Sequence, residues 1–538
     1  MTDFIIISQS DSIDYAKYSQ LPIDRIEIFS ELVFPRMIYF KHAFHSHLDI
    51  INYFKFGKFT KDANSSLHKN LLNIWDLPGF SGMHIANFLL QYNIKTTIIN
   101  NFDTQWEEFC KIYEGCTVKP LVGISTTFFL SYSQIQRLSK KMRAFDPEMQ
   151  IIIGGAFANE QAINKGLETF ENPMRKNKIN FVLHAFNSEE DLKDIIITNQ
   201  KKQDFSKVCN LAFFEGKGFK DSTFKTTETK WHNPVINNAP ALWDRLDLLK
   251  INNTVQMRTT SGCPFSCAFC SYPETAKGFY SMSCENVEKH IQSLLKIDKA
   301  NKIIFIDDTI NVPIDRFKEL CRMFKKYDFE WFSFLRVQFI DDEIAKLMRD
   351  SGCKGVYLGI ESGSDTILKN MNKMATSSQF RKGVSFLKRY GIRSIAAFII
   401  GFPGETESTI KETIEFIETS GIDFYTLKEF YYMPHTPIYK NREKYKLTGM
   451  GNKWHHNTMD SVKAYKLKVE MIKTVKNSIF VDPDTSLWYL ACLYDHDFSM
   501  DHIVDIQKSI NAIIIDQLNS NFNEETVAFG RLKQLLVK

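Results

Sequence analysis

Cys263, Cys267 and Cys270 stand at C-x3-C-x2-C spacing in the run Ser261-Gly-Cys263-Pro-Phe-Ser-Cys267-Ala-Phe-Cys270. Three thiolates so spaced reach three irons of a cuboidal iron–sulfur cluster and leave the fourth iron open to a substrate. The competing chemistry is structural zinc, which wants four ligands in a closed tetrahedron. Its only nearby fourth candidate, Cys284, lies 14 residues past Cys270 at the start of a helical pattern, and the usual second C-x2-C pair is missing. The other cysteines, at 110, 116, 209, 284, 321, 353 and 492, are scattered through strand and helix patterns and read as small packed hydrophobes.

The elements that must position this loop form a repeating βα pattern. Strands are expected at 254–260, 302–308, 330–336, 355–361, 394–400 and 423–430, with the cysteines directly after the first. The helices between them carry their own signals. Thr376 with Gln379 makes a capping box, Thr406 and Asp341 are N-cap candidates, and Gly391, Gly421 and Gly352 mark helix ends. Six βα units, fewer than the eight of a closed barrel, predict a partial, TIM-like (β/α)6 barrel over 251–438. Ahead of it, 1–200 alternates strands at 4–7, 95–100, 120–126 and 149–154 with helices such as 83–92, an α/β, Rossmann-like pattern. Two of those strands run into Ser125-Thr126-Thr127 and Gly154-Gly155, at carboxyl ends where open α/β sheets bind ligands. The aperiodic stretch 201–250 reads as a linker with a short hairpin, and 439–538 as a helical C-terminal domain without intervening strands.

Length and charge exclude more than they assign. With 538 residues the chain holds several domains, and Lys+Arg 67 against Asp+Glu 63 gives no argument for a nucleic-acid or membrane partner. No apolar run approaches a bilayer span, and the start, MTDFIIISQSDSID, lacks the basic region and apolar core of a secretory signal, so a cytoplasmic, reducing setting is expected.

The cysteine motif, with the aromatic Phe269 just before its last cysteine, resembles that of the radical S-adenosylmethionine superfamily. The resemblance implies a [4Fe-4S] cluster on Cys263, Cys267 and Cys270, with S-adenosylmethionine at the open iron and cleavage to a 5′-deoxyadenosyl radical. It further implies S-adenosylmethionine contacts at Phe269 and at Asp307 and Asp308 for the methionyl amine. Arg336 would hold the carboxylate, its guanidinium offering a bidentate fork, Glu361 and Ser362 the nucleoside, and Gly401 and Gly404 the adenine side. An electron donor such as flavodoxin or ferredoxin is implied as partner.

The α/β domain ahead of the barrel resembles the cobalamin-binding domain of class B radical S-adenosylmethionine methylases, which implies Ser125, Thr126, Thr127, Gly154 and Gly155 as cobalamin contacts. The D-x-H-x-x-G motif that supplies an axial histidine elsewhere is absent, leaving two readings: cobalamin without a protein lower ligand, or the fold without the cofactor. The stretches TTSGCPFSCAFCSYP, SGCKGVYLGIESGSDTILKNMNK, AAFIIGFPGETE and KWHHNTMDS resemble most closely the PhpK-like family of P-methyltransferases. That implies methyl transfer to an unactivated carbon or phosphinate centre of a small-molecule or peptide substrate. After the sixth strand, Tyr432 and His456 are the catalytic candidates, His456 as proton acceptor or substrate anchor. A cobalamin-free radical enzyme (dehydration, rearrangement or epimerisation) and a non-catalytic metal- or corrinoid-binding protein stand as alternatives.

Overall fold

Strands alternating with amphipathic helices give two large sheets, parallel over most of their width. The computed structural model describes residues 2–10, 21–25, 33–60, 71–129, 131–216, 218–248, 253–481 and 486–537. The chain divides into two units. One comprises 1–13, 75–256 and 281–300; the other comprises 14–74, 257–280 and 301–538.

The first unit is an eight-stranded sheet. In chain order its strands are β1 (Phe4–Gln9), β2 (Thr96–Asn101), β3 (Leu121–Ser125), β4 (Ile151–Gly154), β5 (Phe181–Leu183), β6 (Leu211–Glu215), β7 (Thr223–Thr226) and β8 (Asp247–Leu248), arranged β8-β2-β1-β3-β4-β5-β6-β7. Strands β1 to β5 pair in parallel, as the alternation predicts. Their inward residues Ile5, Ile7, Ile99, Val122, Ile124, Ile151, Ile153 and Val182 form one buried face. Helices α1 (Phe80–Leu90), α2 (Trp106–Gly115), α3 (Tyr132–Phe145), α4 (Ala156–Lys165) and α5 (Glu189–Gln200) connect them. The supposed linker 201–250 is corrected here: β6 and β7 form its hairpin, and β6 pairs antiparallel with β5, so the sheet continues through it. Leu211 and Ala212 are fully buried, which gives the hairpin a reason to dock. Residues 217, 249 and 250 of that stretch, and 11–20, 26–32 and 61–70 of the early aromatic-rich region, lie outside the described residues.

The barrel strands are β9 (Thr254–Met257), β10 (Lys302–Phe305), β11 (Glu330–Leu335), β12 (Cys353–Glu361), β13 (Arg393–Ile400) and β14 (Phe424–Glu429), in sequential order as expected of an open, partial barrel. The helix signals are used as read. Thr376 and Gln379 close a capping box, Asp341 Oδ1 accepts from the Ile344 N–H at 2.8 Å, and Thr406 caps the helix that ends at Gly421.

Two further regions depart from the sequence boundaries. The C-terminal region is mainly helical, as expected, but Thr448–Met450, Lys453–His456 and Met459–Asp460 form a small antiparallel sheet. A seventh strand, β15 (Ile479–Phe480), pairs in parallel with β14 and covers its edge. Residues 14–74 group with the barrel unit, not with the first 200 residues. There Tyr39 exchanges two hydrogen bonds with Gln517, at 2.9 and 2.7 Å, and Phe40 stacks on Phe529 at 5.3 Å. Among the described residues no helix is long and apolar enough to cross a membrane.

Candidate active site

The cysteine loop leaves β9 under tight control. Gly262 has φ +84°, and a Cβ there would lie 1.8 Å from the Gly278 carbonyl oxygen, so only glycine fits. The Ala268 N–H donates to Met371 O at 2.8 Å and the Ala268 carbonyl accepts from Ile438 N–H at 2.8 Å, pinning the middle of the loop. All three thiols are free, Cys267 buried and the others half-buried. Burial pushes Cys263 up and Cys270 up to about 12, with the neighbouring thiols and Asp308 adding to Cys270. Those mutual effects bring the three sulfurs and Asp308 into one neighbourhood. Among the described residues no three His, Cys, Asp or Glu side chains converge to hold a single metal ion. A cuboidal cluster takes each thiolate on a different iron, where structural zinc takes four ligands on one ion.

The adjacent carboxylates just past β10 divide their work. Asp307 is fully buried, and its Oδ1 accepts from Thr259 N–H at 2.8 Å, Thr259 Oγ1 at 3.1 Å and Thr260 Oγ1 at 2.6 Å. It clamps the start of the cysteine loop, which corrects its expected place beside the methionyl amine. Asp308 is exposed, yet protein crowding raises its carboxyl, with Arg258 opposing and Tyr272 hydrogen-bonded to it. Tyr272 also accepts from the Gly262 N–H at 3.1 Å, tying Asp308 to the loop.

Arg336, at the end of β11, is 4% exposed. Its Nη2 donates to Cys267 Sγ at 3.3 Å and to Lys373 O at 3.1 Å, and its guanidinium lies 3.6 Å from the centroid of Phe265. Nη1 is buried with no protein partner. Glu361 ends β12 at a register shift with φ +70° and accepts from Lys373 Nζ at 3.0 Å. The same Nζ lies 6.0 Å from the Phe269 ring centroid. Lys373 thus links Arg336, Glu361 and Phe269. Sequence reading missed it, because it sits on a loop where no period marks it.

Three candidates are spent on structure. Ser362 is buried, its hydroxyl 3.3 Å from Thr413 Oγ1 and accepting from the Ser364 N–H at 3.1 Å. His456 is buried at 1% exposure, stacked 5.1 Å from Trp454; its Nε2 meets Gly401 O at 3.1 Å and its Nδ1 meets Thr458 Oγ1 at 3.1 Å. With both ring nitrogens engaged and burial lowering its pKa, His456 is corrected from a catalytic group to a brace of the Gly401 turn. Tyr432 is corrected likewise: it is 2% exposed, bridges Gly451 through its backbone, and packs against Phe430 and Tyr439.

The turn Gly401-Phe-Pro-Gly404 is held from its other side by Glu405, a fully internal carboxylate that accepts from Gly401 N–H. Burial pushes it up to about 8. Gly404 faces the Asn370 amide, which a Cβ would meet at 2.6 Å. Glu405 was visible in the sequence as the acid after the glycine turn, but nothing in the pattern marked it as buried.

At the first sheet's carboxyl edge, Ser125, Thr127 and Ser81 form a hydroxyl row, with Oγ···Oγ of 3.0 Å from Ser81 to Ser125 and 3.1 Å from Ser125 to Thr127 Oγ1. Ser81 was the unread member. Thr126 is fully buried, with Oγ1 donating to Gly154 O at 2.8 Å, so it is corrected from a ligand contact to a tie between β3 and β4. Gly155 has φ +112°, and its Cβ position is 3.2 Å from the N–H groups of both Thr126 and Thr127. Thr127 and Gly155 are exposed, and Gly154 is half-buried beside Leu183. Phe129 turns into the core, while Phe128 stays partly exposed, edge-on to Trp75 at 5.5 Å.

Residues 257–417 match the Radical SAM superfamily. That match takes in the three cysteines and the barrel strands from Lys302 to Ile400. The fold is similar to that of cobalamin-dependent S-adenosylmethionine radical enzyme OxsB, over 86% of this chain and 76% of OxsB, at TM-score 0.54 and 14% identity. The radical S-adenosylmethionine methyltransferase TsrM from Kitasatospora setae matches at TM-score 0.53 and 15% identity over 69% of this chain and 73% of its own. Among curated relatives, an uncharacterized methyltransferase, PH0819, of Pyrococcus horikoshii is 34% identical over 31% of this chain and 37% of its own length. Bacteriochlorophyllide d C-12(1)-methyltransferase of Chlorobaculum tepidum is 29% identical over 36% of this chain and 43% of its own. The chain thus spans well under half the length of either.

Proposed function

We propose that the protein is a cobalamin-dependent radical S-adenosylmethionine methyltransferase, acting on an unactivated carbon or phosphinate centre of a small molecule. One observation carries the reading. Three free thiols on a single loop lie beside an accessible carboxylate, Asp308, and a buried guanidinium with an unclaimed N–H, Arg336. The likeness to TsrM and OxsB, whose structures hold cobalamin, supports the corrinoid half, as does the exposed Thr127 and Gly155 edge.

Cys263, Cys267 and Cys270 would hold the [4Fe-4S] cluster, and Ser125, Thr127, Gly154 and Gly155, with Ser81, the corrinoid. When bound, these groups supply the electron that cleaves the S-adenosylmethionine sulfonium bond and the methyl carrier. The chain's own residues do the rest. Asp308 accepts from the methionyl amine, Arg336 Nη1 meets the carboxylate, and the Lys373–Glu361 pair beside Phe269 orients the nucleoside. The electron comes from a donor of the flavodoxin or ferredoxin class. Ten free thiols suit the reducing, cytoplasmic setting such donors share.

The test is anaerobic reconstitution with iron, sulfide and hydroxocobalamin, followed by metal analysis. About four irons and one cobalt per chain are expected, with label from methyl-deuterated S-adenosylmethionine entering the substrate. Iron without cobalt moves the assignment to cobalamin-free radical chemistry; the internal use of Thr126 is the observation that favours that second reading. Zinc without iron defeats both.

A further inference from the structure

We infer that Arg336 sets the reduction potential of the cluster through its hydrogen bond to Cys267, in addition to any contact with S-adenosylmethionine; the inference rests on the cluster assignment above. Two observations support it. The Nη2–Sγ distance is 3.3 Å and the residue is held in place: Lys373 O takes the same Nη2 at 3.1 Å, the Phe265 ring lies under the guanidinium at 3.6 Å, and Asn311 brackets the backbone at 3.0 and 2.8 Å. Such a side chain does not swing away to serve the substrate and then return. Second, Arg336 and Cys267 are 4% and 8% exposed, so water neither competes for the N–H···S bond nor screens the charge.

The physics then has a definite sign. Reducing the cluster adds one negative charge, part of it on the thiolate sulfurs. An N–H donor and a buried positive charge aimed at one sulfur stabilise the reduced form and raise the potential. Two separable contributions act here, charge and hydrogen-bond direction. Lysine keeps the first and loses the planar fork that delivers the second.

The experiment is a potentiometric titration of the reconstituted full chain with titanium(III) citrate, read by the electron paramagnetic resonance of the reduced cluster, with iron counted in every sample. Arg336→Met is expected to hold wild-type iron and to shift the one-electron equilibrium at least tenfold toward the oxidised cluster, about 59 mV lower. Arg336→Lys is expected between it and wild type. Phe265→Leu, which keeps the backbone N–H of residue 265 on Cys263 and loosens the ring support of the guanidinium, is expected to shift in the same direction by less. An Arg336→Met equilibrium within twofold of wild type overturns the inference. Should that variant lose iron, Arg336→Lys and Phe265→Leu decide by the same criterion. A wild-type chain that takes up no cluster defeats the functional reading itself, and so is distinct from a normal wild type whose variants do not shift.

Discussion

At the carboxyl edge of the first sheet the polar groups answer one another: Thr126 closes on Gly154, and Ser81, Ser125 and Thr127 share one hydroxyl row. At the barrel's carboxyl end, three thiols, Nη1 of Arg336 and the carboxyl of Asp308 have bonding capacity left over. The contrast teaches how each edge meets a cofactor. The barrel end is incomplete without an added group, because buried donors without acceptors are costly. The sheet edge is complete as it stands and offers shape, through Gly155, with few side chains that need a ligand.

The most damaging way to break this contrast is Cys267→Ala, expected to remove the cluster's visible absorption and all 5′-deoxyadenosine formation while the circular dichroism of the fold is kept. Next, Thr127→Arg puts a large charge on the exposed sheet edge; cobalt uptake is expected to fall at least tenfold while iron stays at the wild-type count. If iron falls in parallel, the two edges are not independent. Thr126→Val, which removes the side-chain hydrogen bond to Gly154 O and leaves the backbone one from the Thr126 N–H, tests the self-sufficient edge: a loss of about 0.5–1.5 kcal/mol in urea unfolding of the first unit is expected.

A pH series sharpens the barrel side. The Glu405 carboxyl keeps its proton in the fold up to about pH 8, while an unfolded glutamate loses it near 4.5. Its folded pKa is raised, so its contribution is full below about 4.5 and is lost as pH rises through 8. Wild type should melt at progressively lower temperature across that window, and Glu405→Gln should flatten the slope. The smallest effect is expected from Tyr432→Phe: activity within twofold of wild type, since the ring only packs.

The β-branched and aromatic strands, the capping box at Thr376, the N-cap at Thr406 and the cysteine spacing were all legible, because each is a local pattern with a local cause. What escaped was contextual. Asp307 and Asp308 are neighbours of one type, and only the fold turns one inward to Thr259 and leaves the other accessible. His456 looked reactive because a histidine in a polar run does, yet tertiary packing against Trp454 occupies it. Lys373 and Ser81 matter through partners 12 and 44 residues away, distances at which no periodicity speaks. The strand β15 is two residues long, too short to leave a signal.

The interleaved division of the chain bears on how it is made. The first unit includes residues 281–300 and the second includes residues 14–74, with the cysteine loop encoded between the first unit's last two segments. During synthesis the first unit stays short of its final helix, Cys284–Leu294, until after all three thiols have left the ribosome. The cysteine loop therefore emerges while both units still lack sequence. Neither unit is one continuous stretch of gene, so a cut at residue 250 would yield two incomplete folds rather than two domains.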